Sequence, residues 1–161
     1  MSRIRQSILT GFSFGLTSGI ITTLGLMVGL QAGTNSKMVV LGGVLTIALA
    51  DSLSDALGIH VSEESRRDNN NKEVWEATIS TFIFKLIFAL SFVVPVLVFN
   101  LTTAIYVSMV WGYLLLGFVS YYNTRGKGTK KCGMIVEHLL IMTFVIIASR
   151  YIGLFVNRYF G

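Results

Sequence analysis

The chain has 161 residues, 53% of them hydrophobic and only 13% charged, with one proline against 16 glycines and a mean hydropathy of +0.69. A soluble domain of this size carries about 25% charged residues and disordered chains are more polar still, so lipid rather than water is the main solvent. The single cysteine, Cys132, excludes an intramolecular disulfide and any multi-cysteine metal or iron–sulfur site, while the net charge of +5 is interrupted by apolar runs, which excludes the continuous basic face of a nucleic-acid binder.

About 20 mostly apolar residues are needed to cross roughly 30 Å of hydrocarbon, so charges mark where spans end. After Arg3 and Arg5 no charge occurs before Lys37, which predicts a first helix over about 8–30. That stretch is too long for a signal peptide and has no small-residue cleavage site, so it is expected to be retained. Within it Gly11, Gly15 and Gly19, then Gly25 and Gly29, read as a small-residue ladder on one face, suited to close helix packing. A turn over 33–36 leads to a second helix over about 38–61. The run 62–72, with Arg66, Arg67, Asp68 and three successive asparagines, is too polar for lipid and predicts a short cytoplasmic linker over 62–74.

From Lys85 to Arg125 there is no charge at all, which is too long for one span. The only turn signal inside it is 100–103, so a third helix over about 75–99 and a fourth over about 104–122 form a hairpin. Pro95 removes a backbone donor and predicts a kink in the third helix. A basic loop over 124–131 precedes a fifth helix over about 133–156. The positive-inside rule checks this count. Arg3, Arg5, Arg66, Arg67, Lys72, Arg125, Lys127, Lys130 and Lys131 fall on one side, and Lys37 and Arg158 on the other. The expected fold is therefore an all-α integral membrane protein, a single transmembrane domain over 1–161 with five spans, N-terminus cytoplasmic and C-terminus outside.

An ionisable group inside the hydrocarbon costs at least a few kcal/mol, so it marks an ion path, a proton relay or a buried pair. Asp51, Asp55, Lys85, Glu137 and Arg150 are such groups. Asp51 and Asp55 project from one face of the second helix on successive turns, and their repulsion needs an offset: a divalent cation, a shared proton, or an ammonium such as that of Lys85. Ser52, Ser54 and Ser62 could add oxygen ligands. His60, Glu63 and Glu64, at the cytoplasmic end of the same helix, would serve as a metal-loading site or as a solvated face. Lys85 is expected to pair with a second-helix aspartate or with Glu137, either as an ion pair or as part of a proton relay. Arg150 is expected to reach outward to the interface. No HExxH, GxSxG or phosphate loop occurs, and two aspartates four apart on one helix cannot share a water as a protease dyad does, so the chain does not read as an enzyme.

The run from Ala50 to Ser62, ending in Glu63-Glu64-Ser65, resembles the second helix of the vacuolar iron transporter family. The opening helix, Gly11 to Leu16 and Gly25 to Leu30, is similar to that family's first helix. Leu116-Gly117, Gly126, the stretch Gly133 to Glu137, Tyr151 to Gly153, and Pro95 also match in order. The resemblance implies a homodimer whose first and second helices line a central path and export Fe²⁺ or Mn²⁺ from the cytoplasm in exchange for protons. The metal is then cargo, no cofactor is bound permanently, and the partners are lipid and a second copy, with no nucleic acid. The location implied is the cell membrane in a prokaryote or a vacuolar-type membrane in a eukaryote. The chain departs from the family at Phe14, where an aspartate is usual, and at Asp51 and Asp55, where glycine and methionine are usual. The Glu-rich cytoplasmic domain of well-studied members shrinks here to about Glu63 through Glu76. Two other classes stay open on the same residues: a non-transporting membrane scaffold whose charges only pair helices, and a channel or transporter for a non-metal solute.

Overall fold

The computed structural model describes residues 3–66, 70–124 and 131–161, without the side chains of 3–5 and 131. Arg67, Arg125, Lys127 and Lys130, and the side chains of Arg3, Arg5 and Lys131, lie outside the described residues. Among those described, the helices are α1 (Arg3–Thr34), α2 (Lys37–Glu64), α3 (Asn71–Ser91), α4 (Val93–Val98), α5 (Leu101–Asn123) and α6 (Lys131–Phe160). They provide five stretches long and apolar enough to cross a membrane, with α3 and α4 forming one of them.

Five spans are present as expected, and each runs past its expected bounds except the third, which starts earlier, at Asn71, and stops at Val98. Charge stops a helix from lying in lipid, but it does not stop the helix. Capping does: the side chains of Ser36, Asn70 and Asn100 accept from the backbone N–H of Val39, Glu73 and Thr103 and so fix the starts of α2, α3 and α5. The linker expected over 62–74 is shorter for the same reason, since Glu63 and Glu64 complete α2 and α3 already begins at Asn71. The kink expected at Pro95 separates α3 from α4 at Phe92. Pro95 cannot donate to the carbonyl four residues back, and Phe92 instead closes a tighter turn onto Ala89 O at 3.2 Å.

The centre of the bundle is α1, which packs on α2, α3, α5 and α6 and buries 50% of its span, against 17–33% for the others. Leu16, Ile20, Leu24 and Met27 of α1 meet Val40 and Val44 of α2, Phe92 and Val96 near the kink, Leu116 of α5 and Met142 of α6. The small-residue ladder is not on one face. Gly11, Gly15 and Gly19 lie against α3, whereas Gly25, Gly29 and Gly33 lie against α6. Six residues separate Gly19 from Gly25, and at about 3.6 residues per turn that step rotates the face by roughly 240°. Both faces serve close packing. A Cβ on Gly15 would stand 2.7 Å from Thr81 O, and one on Gly29 3.3 Å from Ser149 O.

The ends of the helices sort into two groups. At one, Lys37 Nζ donates to Leu97 O and Phe99 O at 3.2 and 3.0 Å, and Gly33 meets Gly153. At the other, His60 contacts Thr78, Ser13 donates to Asn123, and Ser120 contacts His138. Arg66 and Lys72 therefore share one end, and Lys37 and Arg158 the other, as the alternation of charges requires.

Candidate ion site

The turn between α1 and α2 is made by Asn35, whose φ of 46° is a left-handed conformation that asparagine tolerates. It sets the two helices antiparallel, so a step of one turn up α1 matches a step of one turn down α2. Ser18 Oγ donates to Asp55 Oδ2 at 2.7 Å, and one turn on Thr22 Oγ1 donates to Asp51 Oδ2 at 2.9 Å. Asp51 and Asp55 flank the buried stripe of α2, Val40, Val44, Ala48, Ser52 and Ala56, and so face inward at an edge.

Lys85 reaches the same point from α3. Its side chain is 1% exposed and passes over Gly15 and Gly19, where the missing side chains of α1 leave a groove; its Cγ lies 3.2 Å from where a Gly19 Cβ would stand. Nζ then meets three oxygens: Asp51 Oδ2 at 2.6 Å, Asp55 Oδ2, and Ser18 Oγ at 3.0 Å. An ammonium has three protons, and all three are taken. Of the three offsets named for the aspartate pair, the ammonium of Lys85 is placed against both carboxylates. Of the two partners open to Lys85, the aspartates are used. Glu137 sits exposed near the start of α6.

Two carboxylates around one ammonium leave a formal charge of minus one midway along the spans. Removing charges from water costs several kcal/mol per ion, recovered only with good geometry and further hydrogen bonds, which Ser18 and Thr22 supply. The cluster is not sealed. The Asp51 and Asp55 side chains remain 26% and 22% exposed. Asp51 lines an open cleft between α1 and α2, with Leu26, Leu30, Gly43, Ile47, Ala50 and Ser54. The donors are all oxygen, a set that suits hard or borderline divalent cations better than soft ones.

The other expected residues lie elsewhere. Among the serines, Ser54 shares the cleft with Asp51, Ser62 is exposed, and Ser52 is fully buried with its hydroxyl unpaired. His60 turns toward α3, with Nδ1 3.0 Å from Thr78 Oγ1 and its ring edge-on to Trp75. Glu63 is buried and bridged to Arg66 at 3.2 Å, while Glu64 is exposed on another face of the helix. Among the described residues no three His, Cys, Asp or Glu side chains come together as a metal-holding group. Arg150 is exposed on α6 beside a small pocket that includes Gln31, Thr102 and Tyr106. Phe14, at the position of the family's usual aspartate, is 42% exposed.

Sequence reasoning missed Ser18 and Thr22. The signal was available: hydroxyls four apart in an apolar helix, matched to carboxylates four apart in the next, with a tight turn between.

A family model described as the VIT family matches residues 10–76, which covers α1 from its third turn onward, the whole of α2 and the start of α3. The oxygens of Ser18, Thr22, Asp51 and Asp55 all fall inside the matched stretch, and Lys85 falls just beyond it. No curated protein and no solved structure matches the chain.

Proposed function

Because the match over residues 10–76 supports membership of the vacuolar iron transporter (VIT) family, whose members move metal ions across membranes, we propose that this chain carries a divalent metal, Fe²⁺ or Mn²⁺, out of the cytoplasm in exchange for protons. Asp51 and Asp55 are the carboxylates that bind the cargo, and Ser18 and Thr22 supply neutral oxygens. One observation carries the reading: two carboxylates, held by hydroxyls of the adjacent helix, stand partly open at mid-span where ionisable groups are otherwise costly. They occupy the helix pair matched by the family model, although the aspartate usual in the first helix is Phe14 here. The pair takes over that role from the neighbouring helix.

The working unit is a homodimer with α2 at its centre. Gly42, Thr46, Ala50, Ser54 and Gly58, four apart, are all exposed on one face of α2, and Gly42 and Gly58 have open space where a side chain would be. Small-residue faces of this kind let a second helix approach closely. The N-terminus is cytoplasmic, which puts His60, Glu63 and Glu64 at the loading end.

The test is metal uptake into proteoliposomes, with Fe²⁺, Mn²⁺, Co²⁺ and Zn²⁺ offered separately, with and without a pH gradient. Flux that follows the gradient and disappears in Asp51→Asn/Asp55→Asn is the expected result. Unchanged flux in that variant refutes the site. The complete pairing of Lys85 favours a second reading, a scaffold whose charges only join helices. Under it the double variant loses thermal stability, and the unmodified protein shows no metal flux at all.

A further inference from the structure

The position of Lys85 Nζ has the character of a bound cation's. Three oxygens surround it, two of them anionic, and the side chain that delivers it is wholly buried. Among the described residues Lys85 is the cation bridged to both carboxylates. We infer that the ammonium of Lys85 is a tethered stand-in for the cargo: it fills the site when the site is empty, and cargo binds Asp51 and Asp55 only as Lys85 Nζ withdraws.

Three observations support this. Each carboxylate commits one oxygen to Nζ, so a cation that takes those oxygens competes with the ammonium. The side chain enters from α3 while the open cleft at Asp51 lies between α1 and α2, so cargo and lysine approach from different sides. The stem of Lys85 lies in the groove over Gly15 and Gly19, so a withdrawal of Nζ that keeps the stem in that groove shifts α3 along α1. Occupancy is thereby tied to a movement of α3 against the α1–α2 pair. Lys85 is a specificity-determining residue in consequence. It reduces the charge that the cargo meets from minus two to minus one, and so weakens retention of a divalent ion that has to leave again.

This inference rests on Asp51 and Asp55 being the cargo site, and the experiment separates the two. The protein in detergent is unfolded thermally at increasing MnCl₂, as the unmodified chain and as Lys85→Met, which keeps the unbranched apolar stem and removes the ammonium. Lys85→Met should reach half-maximal stabilisation at a Mn²⁺ concentration lower by about tenfold or more, as expected when two carboxylates lose a fixed cation a few ångströms away. Adding Asp51→Asn and Asp55→Asn to Lys85→Met should abolish the response. A folded Lys85→Met with no gain in Mn²⁺ sensitivity overturns the inference. If metal flux in the unmodified chain still depends on the aspartates, the proposed function survives that result. A gain in Lys85→Met without any flux in the unmodified chain supports the stand-in and removes only the transport reading. Should Lys85→Met fail to fold, Lys85→Gln takes its place, since it removes the charge and keeps both carboxylates. It should also respond at a lower Mn²⁺ concentration than the unmodified chain, and the absence of that gain overturns the inference equally.

Discussion

Gly15→Ala tests the packing that delivers Lys85 to the aspartates. A methyl group on Gly15 would stand 2.7 Å from Thr81 O and 3.2 Å from Lys85 N, both backbone atoms of α3. Ordinary contact begins at 3.4 Å, so α3 must retreat from α1 by about 0.7 Å, and no rotamer change can absorb it. Overpacking of this kind costs about 1–3 kcal/mol. Replacing a helical glycine by alanine also returns about 0.5–1 kcal/mol of backbone propensity, so the net loss is smaller than the clash alone. The control is Gly117→Ala in α5, where a Cβ meets nothing within 4 Å and only the propensity gain remains. Thermal unfolding in detergent should place Gly15→Ala below Gly117→Ala by about 1–3 kcal/mol, at about 2–4 °C per kcal/mol for a chain of this size. Equal stability of the two variants would refute the close approach of α1 and α3 described here.

Without added metal, Lys85→Met should cost about 3–5 kcal/mol, because it leaves two partly buried carboxylates facing each other. Asp51→Asn and Asp55→Asn should each cost less, since Lys85 keeps the other carboxylate and Ser18; urea or thermal unfolding ranks the three, and an inverted order counts against the cluster as drawn. Gly58→Trp should leave the monomer folded, as open space surrounds Gly58, and should convert a dimer to a monomer by light scattering. A dimer that persists places the second copy elsewhere. Cys132, the chain's one cysteine, is exposed in the first turn of α6, so a membrane-impermeant maleimide should label it from the cytoplasmic face only. Labelling from the opposite face reverses the assigned orientation.

The five spans were legible because a long apolar run and its bounding charges are one-dimensional signals. The positions of helix ends were not, since Asn70 and Ser36 stop or start helices through single side-chain hydrogen bonds that hydropathy does not register. Asp51 and Asp55 stood out for the converse reason: a carboxylate in lipid is costly, and a spacing of four residues fixes a shared face. Lys85 could be named as a partner but not assigned, because Asp51, Asp55 and Glu137 were equivalent until the crossing of α1 and α3 over Gly15 and Gly19 aimed its stem at the aspartates. The single glycine face split into two for a related reason, the irregular step between Gly19 and Gly25, which changes the packing partner from α3 to α6. His60, Glu63 and Glu64 lie within five residues yet do not gather as a metal-holding group, because His60 turns to Thr78 and Trp75 of α3 and Glu63 to Arg66, partners that helical spacing does not reveal.

The central place of α1 has a consequence for how the protein is made. This helix leaves the ribosome before α2 to α6, and its two glycine faces wait for partners encoded much later. The face at Gly11, Gly15 and Gly19 stays open until α3 arrives, and the face at Gly25, Gly29 and Gly33 until Gly153 of α6 does. At roughly 5–20 residues per second, that second wait after Thr34 is roughly 6–24 s. During it a helix with two unfilled grooves stands among lipids or beside the insertion machinery, exposed to any small-faced helix from another chain. Substitutions that slow the docking of α6, such as bulk at Gly153, should therefore reduce the amount of assembled protein more than its stability once assembled.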